Sequence, residues 1–268
     1  MNERINFEPT TLNIFTDASV RNMNYGFDSA SGFVAMIGDQ KLAEQIQINR
    51  NTTNNFGEIY AIQMAVQLAF DVRRLMSEQP KYINIFSDSL ISVKGLREWF
   101  NGWTLDDKGY LLNSSGEKVA NQNIITSIMN MIITYNIDVS FFHIKGHINF
   151  NKDSEVEKAT SKFDQHNGTA GIGKIGKETM IKMLKCNDYV DNATRESLQY
   201  SENIPILLRP IEKLSNFTIE EINRYKKLID PRYHFWYLGQ LSYKITYKKE
   251  SKLWVMQIRN LLKLQKEF

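Results

Sequence analysis

Two stretches of this chain end in the same way, and together they limit how it can fold. Leu12-Asn13-Ile14-Phe15-Thr16-Asp17-Ala18-Ser19 reads as an apolar strand that delivers a carboxylate followed by small residues. Tyr82-Ile83-Asn84-Ile85-Phe86-Ser87-Asp88-Ser89 repeats the pattern of apolar strand, hydroxyl residue, Asp and small residue. Two strands that each present an Asp from the same end read as neighbours in one sheet. Their carboxylates then fall within metal-bridging distance. Asp17 anchors this reading, with Glu58, Asp88 and Asp191 as the other acids of a cluster suited to divalent ions.

The segments around these strands complete an α/β pattern. Residues 20–31 are polar and small and read as a loop. A strand over residues 32–37, a turn at Gly38-Asp39-Gln40 and a strand over 42–48 follow, so the chain opens as an antiparallel three-strand meander. Asn51-Thr52-Thr53-Asn54-Asn55 precedes Ile59, Ile62, Ala65, Val66, Ala69 and Phe70, which recur at helical spacing. Asn54 or Asn55 reads as the cap, which puts Glu58 in the first turn. An acid there is also what dipole compensation produces, so Glu58 alone is no sign of catalysis. Leu90, Val93, Leu96 and Phe100 give another helix. A turn at residues 113–116, a helix over 124–135 and a fifth strand over 139–144 lead to Lys145-Gly146-His147, where the His sits on a turn.

Residues 148–186 change character. A charged helix over 153–163 precedes the Gly- and Lys-rich stretch 168–177, which lacks the spacing of a phosphate-binding loop and reads as a connection. A helix over 178–185 and a further one opening at Asn187 follow.

Charge is unevenly spread. Residues 205–268 carry 13 Lys/Arg against 6 Asp/Glu, whereas residues 1–204 carry 20 against 24. This tail is also dense in aromatics, among them Phe235, Trp236, Tyr237 and Tyr243. Aromatics interleaved with lysines suit stacking on bases and pairing with phosphates, and equally suit the core of a small accessory domain. The one cysteine, Cys186, excludes an internal disulfide and fits a reducing compartment, so the expected location is cytoplasmic. The N-terminus lacks a signal-peptide layout, and no run approaches the roughly 18 apolar residues of a membrane span.

In order along the chain, these motifs resemble the type 1 ribonuclease H family across residues 11–147 and 187–200. Phe15-Thr16-Asp17-Ala18-Ser19 is similar to its first acidic motif, and Thr52-Thr53-Asn54-Asn55 through Glu58 to its Thr-Thr-Asn-Asn-x-x-Glu signature. Phe86-Ser87-Asp88-Ser89, the pair Trp99 and Trp103, Lys145-Gly146-His147, and Asn187 through Asp191 also have counterparts. The resemblance implies a ribonuclease H-like five-stranded mixed sheet flanked by helices. The catalytic domain would span residues 8–204, with residues 148–186 as an insertion and residues 205–268 as a basic, aromatic-rich C-terminal region.

It also implies an endonuclease that cleaves the RNA strand of RNA–DNA hybrids with two Mg²⁺ ions, Mn²⁺ serving as a substitute. Asp17, Glu58, Asp88 and Asp191 would hold the metal, and His147 would assist proton transfer or product release. Ser19, Thr53, Asn54, Asn55, Trp99 and Trp103 would contact the hybrid. The chemistry agrees: two Mg²⁺ about 3.5–4 Å apart activate water and stabilise the leaving oxygen. Crowded carboxylates repel one another unless a cation is present.

The sequence departs from the family in three places. His147 and Asp191 are 44 positions apart, far more than is usual, and Glu157 is a rival for the fourth acid. Residues 104–122 lack the strongly basic character common after the paired tryptophans, a deficit that the basic tail would offset. Leu90 stands where relatives often carry a hydrogen-bonding Gln. Two other readings remain: a nucleic-acid-binding or assembly subunit of the same fold, and a related nuclease or strand-transfer enzyme acting on DNA. A protein or nucleic-acid partner for the C-terminal region is likewise open.

Overall fold

The computed structural model describes residues 3–199, apart from 24, 25, 77, 78, 108 and 169–172. The expectations for residues 205–268 lie outside the described residues.

Five strands form one mixed sheet in the order β3-β2-β1-β4-β7. β1 (Thr11–Met23), β2 (Gly26–Ile37) and β3 (Gln40–Asn49) are antiparallel, as the meander predicts. β4 (Tyr82–Ser87) and β7 (Val139–His143) run parallel to β1 on its other side. Between them, β5 (Thr104–Leu105) and β6 (Leu111–Leu112) form a small separate hairpin. The helices are α1 (Asn54–Leu75), α2 (Leu90–Lys94), α3 (Gln122–Tyr135), α4 (Asp153–Asn167) and α5 (Lys177–Gln199). α2 runs on through a π-turn at Gly95–Trp99 and a 3₁₀ turn at Phe100–Gly102.

The helices lie on both faces of the sheet. Ala18 and Ser19 are consecutive on β1 and point to opposite faces. A Cβ on Gly57 of α1 would stand 2.8 Å from Ala18, whereas Ser19 Oγ lies 3.0 Å from Thr194 Oγ1 of α5. On the α5 face, Phe15, Phe86 and Phe142 are in register across β1, β4 and β7. Their rings form a ladder, with centroids 4.7 Å and 5.5 Å apart. Phe163 of α4 and Met180, Met183 and Leu184 of α5 pack into the same core cluster. α4 is therefore built into the central core, and its residues up to 163 fall within the stretch of the chain that packs with the sheet.

Three local expectations are corrected. Residues 20–31 are mostly strand rather than loop, because β1 and β2 pair in unbroken register from Leu12↔Ile37 to Met23↔Gly26. Cross-strand hydrogen bonds order this polar stretch without the apolar alternation that marks a strand. The cap of α1 is Thr53, whose hydroxyl accepts from Phe56 N at 3.2 Å, so Asn54 and Asn55 lie inside the helix and Glu58 sits in its second turn. Finally, residues 177–199 form one continuous helix rather than two. Met183, Leu184, Asn187 and Val190 keep one buried stripe through the polar Asn187-Asp188 junction.

Candidate active site

Sheet register brings the first two acids together. Thr16 pairs with Ser87 in the parallel β1–β4 ladder, so Asp17 and Asp88 follow side by side at the same end. β1 is the central strand, which places Asp17 in the middle of that end. Glu58 reaches them because the N-terminal end of α1 comes close to β1 at Gly57. Any side chain there would collide with Ala18 and crowd Ser29. Carboxylate oxygens of Asp17, Glu58 and Asp88 all lie within 4.8 Å of one another.

α5 adds the fourth acid. Thr194 Oγ1 stands 3.4 Å from Asp17 Oδ2, and Asp191, one turn earlier, lines the same cavity. Asp191 lies outside the tight triad. Its Oδ2 pairs with Arg195 and stands 3.6 Å from His147 Nδ1. Glu157, the rival, is exposed on α4 and does not line the cavity. The structure therefore brings Asp191, not Glu157, to the other three acids.

His147 enters from the turn after β7 with a left-handed backbone (φ 53°). A Cβ on Gly146 would run into Asp88 Oδ2, so the turn closes over the acid in this geometry because residue 146 has no side chain. The cavity is about 880 Å³, and Ser19, Arg21, Asn54, Ser89, His147 and Arg195 line it together with the four acids.

Burial and crowding raise the three acids of the triad above the ordinary carboxylate range. The Asp17 carboxyl is pushed up to about 8, first by burial and then by Asp88 and Asp191. Glu58 is raised well above its ordinary range by burial, with Asp17 and Asp88 adding to it. Asp88 is raised mainly by burial, an effect that His147 offsets. Glu58 Oε2 is buried and has no hydrogen-bond partner among the described residues. Clustered hard oxygens and an unsatisfied carboxylate oxygen fit a divalent cation such as Mg²⁺.

The other expected contact residues are spread around this centre. Ser19 and Asn54 line the cavity. Thr53 and Asn55 are exposed beside it at the start of α1. Trp99 is 43% exposed, and Trp103 packs edge-on to Phe100; neither lines the cavity. The sequence reading missed Thr194 and Arg195. A usable signal existed, since residues three and four after Asp191 share its helix face. It also missed His143, held neutral because burial and then His166 lower its pKa to about 4. Among the described residues, no helix is long and apolar enough to cross a membrane.

The family model for RNase H matches residues 9–163. The ribonuclease H of Pelobacter propionicus is 33% identical over 97 residues, which are 36% of this chain and 52% of that protein. The chain thus spans about half the length of that curated relative. Among solved structures, the PFV RNase H domain is 19% identical, with 58% of this chain and 90% of that chain covered and a TM-score of 0.40. LC11-RNase H1, crystallised with an RNA/DNA hybrid, is also 19% identical, over 56% of this chain and 97% of that chain, with a TM-score of 0.38. With a matching family model over more than half its length, the chain belongs to the RNase H family.

Proposed function

We propose that this protein hydrolyses the RNA strand of RNA–DNA hybrids and that Asp17, Glu58, Asp88 and Asp191 hold two Mg²⁺ ions, with Mn²⁺ as a substitute. The observation that carries the proposal is the triad of carboxylates, two buried and Asp88 half-buried, within 4.8 Å of one another in the wall of a cavity of about 880 Å³. When bound, the ions supply the charge that makes water nucleophilic near neutral pH and stabilises the leaving oxygen.

The chain's own side chains do the rest. Thr194 donates toward Asp17 and helps keep it ionised once a cation is present. The Thr53 hydroxyl accepts from Phe56 N and keeps its proton to donate to a backbone phosphate. Asn54 and Asn55 offer amide donors and acceptors beside the cavity, and reading RNA requires such groups at the 2′-OH. His147, largely exposed and close to Asp191, is placed to exchange a proton with the departing strand. Trp99 and Trp103 lie away from the acids and suit contact with the complementary DNA strand.

The test is a labelled hybrid, single-stranded RNA and duplex DNA, each with Mg²⁺, Mn²⁺ or EDTA. Metal-dependent cleavage of the hybrid alone, abolished by Asp88→Asn, supports the proposal. Binding without cleavage would instead favour a nucleic-acid-binding or assembly subunit, and cutting of duplex DNA a related nuclease.

A further inference from the structure

The C-terminal end of α4 brings two side chains against the end of β7. Asn167, the last residue of α4, is fully buried. Its side-chain oxygen accepts from His143 N at 2.9 Å, and its nitrogen donates to His143 O at 2.8 Å. These two bonds copy a strand pair, and they close the edge of the sheet at its outermost strand. His166, the preceding residue, places Nδ1 at 2.8 Å from His143 Nδ1. On its far side, His143 Nε2 lies 3.1 Å from the backbone oxygen of Asp88.

The tautomers follow from these contacts. A carbonyl oxygen only accepts, so His143 carries its proton on Nε2. Its Nδ1 is then an acceptor, and His166 Nδ1–H is the donor. Arg97, in the π-turn, locks the outer end. It donates to Asn167 Oδ1 at 2.9 Å and to His166 O at 2.7 Å. The result is a chain of hydrogen bonds from the end of α4, through two imidazoles, to the peptide of an active-site acid. His166 and Asn167 lie beyond the stretch that the family model matches, which ends at residue 163.

We propose that His166 and Asn167 are positioning residues that act through His143 to hold Asp88 in its metal-binding geometry. The inference rests on Asp88 being a metal ligand. Asp88 sits on an irregular residue between β4 and α2, where no ladder bond fixes its orientation. A partner that orients a ligand from outside the metal's own shell typically changes metal affinity by about tenfold or more. The C-terminal end of α4 then has a role at the active site in addition to the helix's packing in the core.

The experiment compares the full-length wild type with His166→Ala and His166→Asn. Asn keeps an N–H donor near the position of Nδ1. Hydrogen exchange is read on the peptide spanning residues 87–89. Mn²⁺ affinity is read by calorimetry without substrate, and kcat and KM are read on the hybrid. The proposal expects His166→Ala to speed exchange at residues 87–89, weaken Mn²⁺ binding about tenfold and lower kcat with KM unchanged. It expects His166→Asn to restore all three. Unchanged exchange, or faster exchange with unchanged Mn²⁺ affinity, overturns it. So does failure of the Asn variant to rescue. Asn167→Asp, which keeps the acceptor and loses the donor, gives the same comparison if His166→Ala does not fold. A wild type that binds no Mn²⁺ and leaves the hybrid intact refutes the metal-site reading instead, and that outcome is visible before any variant is examined.

Discussion

Thr194 Oγ1 stands 3.4 Å from Asp17 Oδ2, so a hydroxyl on α5 reaches the central acid of the sheet. Hydrogen bonding to the charged form favours ionisation, and this contact works against the burial that raises Asp17. Thr194→Val keeps the shape and removes the hydroxyl. We expect it to cost about 1–2 kcal/mol in stability by chemical denaturation, because the Thr194 hydroxyl accepts from Ser19 and shares its one proton between Asp17 and the Asp191 carbonyl. The pH at which Mg²⁺ binding is half-complete should rise, as read by calorimetry across pH 6–9. Thr194→Ser should preserve both properties.

A second prediction concerns the metal-free protein. Asp17 is raised from its ordinary value near 3.8 to about 8, and Glu58 and Asp88 move in the same direction. Between those limits the folded state holds protons that the unfolded chain has released. Stability in EDTA should therefore fall as pH rises from about 4 to about 8, by about 1.4 kcal/mol per pH unit for each proton involved. Adding Mg²⁺ should remove this slope and release protons into a weakly buffered solution. Thermal melts with and without Mg²⁺ across this range measure the slope directly. A flat EDTA profile would show that the carboxylates are not crowded.

Gly146→Ala probes the turn over Asp88. A Cβ there would run into Asp88 Oδ2, so either the carboxylate or the turn carrying His147 must shift. Hybrid cleavage should drop by about a hundredfold, since small misplacement of reacting groups has effects of that size. Melting temperature should change little, because Gly146 lies on a partly exposed turn. Gly57→Ala should behave differently. Its Cβ would lie 2.8 Å from Ala18, so α1 itself must move and stability should fall together with activity.

The sequence showed most of the sheet, because Ile14, Phe15, Ile83, Ile85, Phe141 and Phe142 carry the β pattern of buried strands. The same logic missed the far ends of β1 and β2. There Arg21, Asn22, Asp28 and Ser29 are placed by pairing rather than by hydrophobic alternation. Asn187-Asp188 mimics a helix start because Asn and Asp are good caps, yet it lies mid-helix where Leu184 and Val190 hold α5 on the sheet. Three of the acids were legible from strand ends and a helix start, and Asp191 from the motif around it. The contacts of His166, Asn167 and Arg97 had no signal in spacing. Arg97 and Asn167 are 70 positions apart, and only the packing of α4 onto the Phe ladder brings them together.

The last prediction concerns the support beneath the start of α1. Arg50 Nη1 pairs with Asp28 Oδ2 at 3.2 Å, and both side chains are almost wholly buried. The loop that follows is tied down beside them: Thr52 N donates to Phe27 O at 2.8 Å, and its hydroxyl lies 2.8 Å from Ser29 Oγ. These contacts fix the path of the chain into Thr53, Asn54 and Asn55. Removing one partner of a buried pair leaves the other charge without it, so Arg50→Met should destabilise the protein by about 3–5 kcal/mol. Replacing both, in Arg50→Met with Asp28→Leu, should recover part of that loss, and a double-mutant cycle by denaturant titration gives the coupling. If the pair also sets the loop for hybrid binding, the double variant should regain stability but keep a raised KM for the hybrid. A KM equal to that of the wild type would show that the pair supports the fold alone.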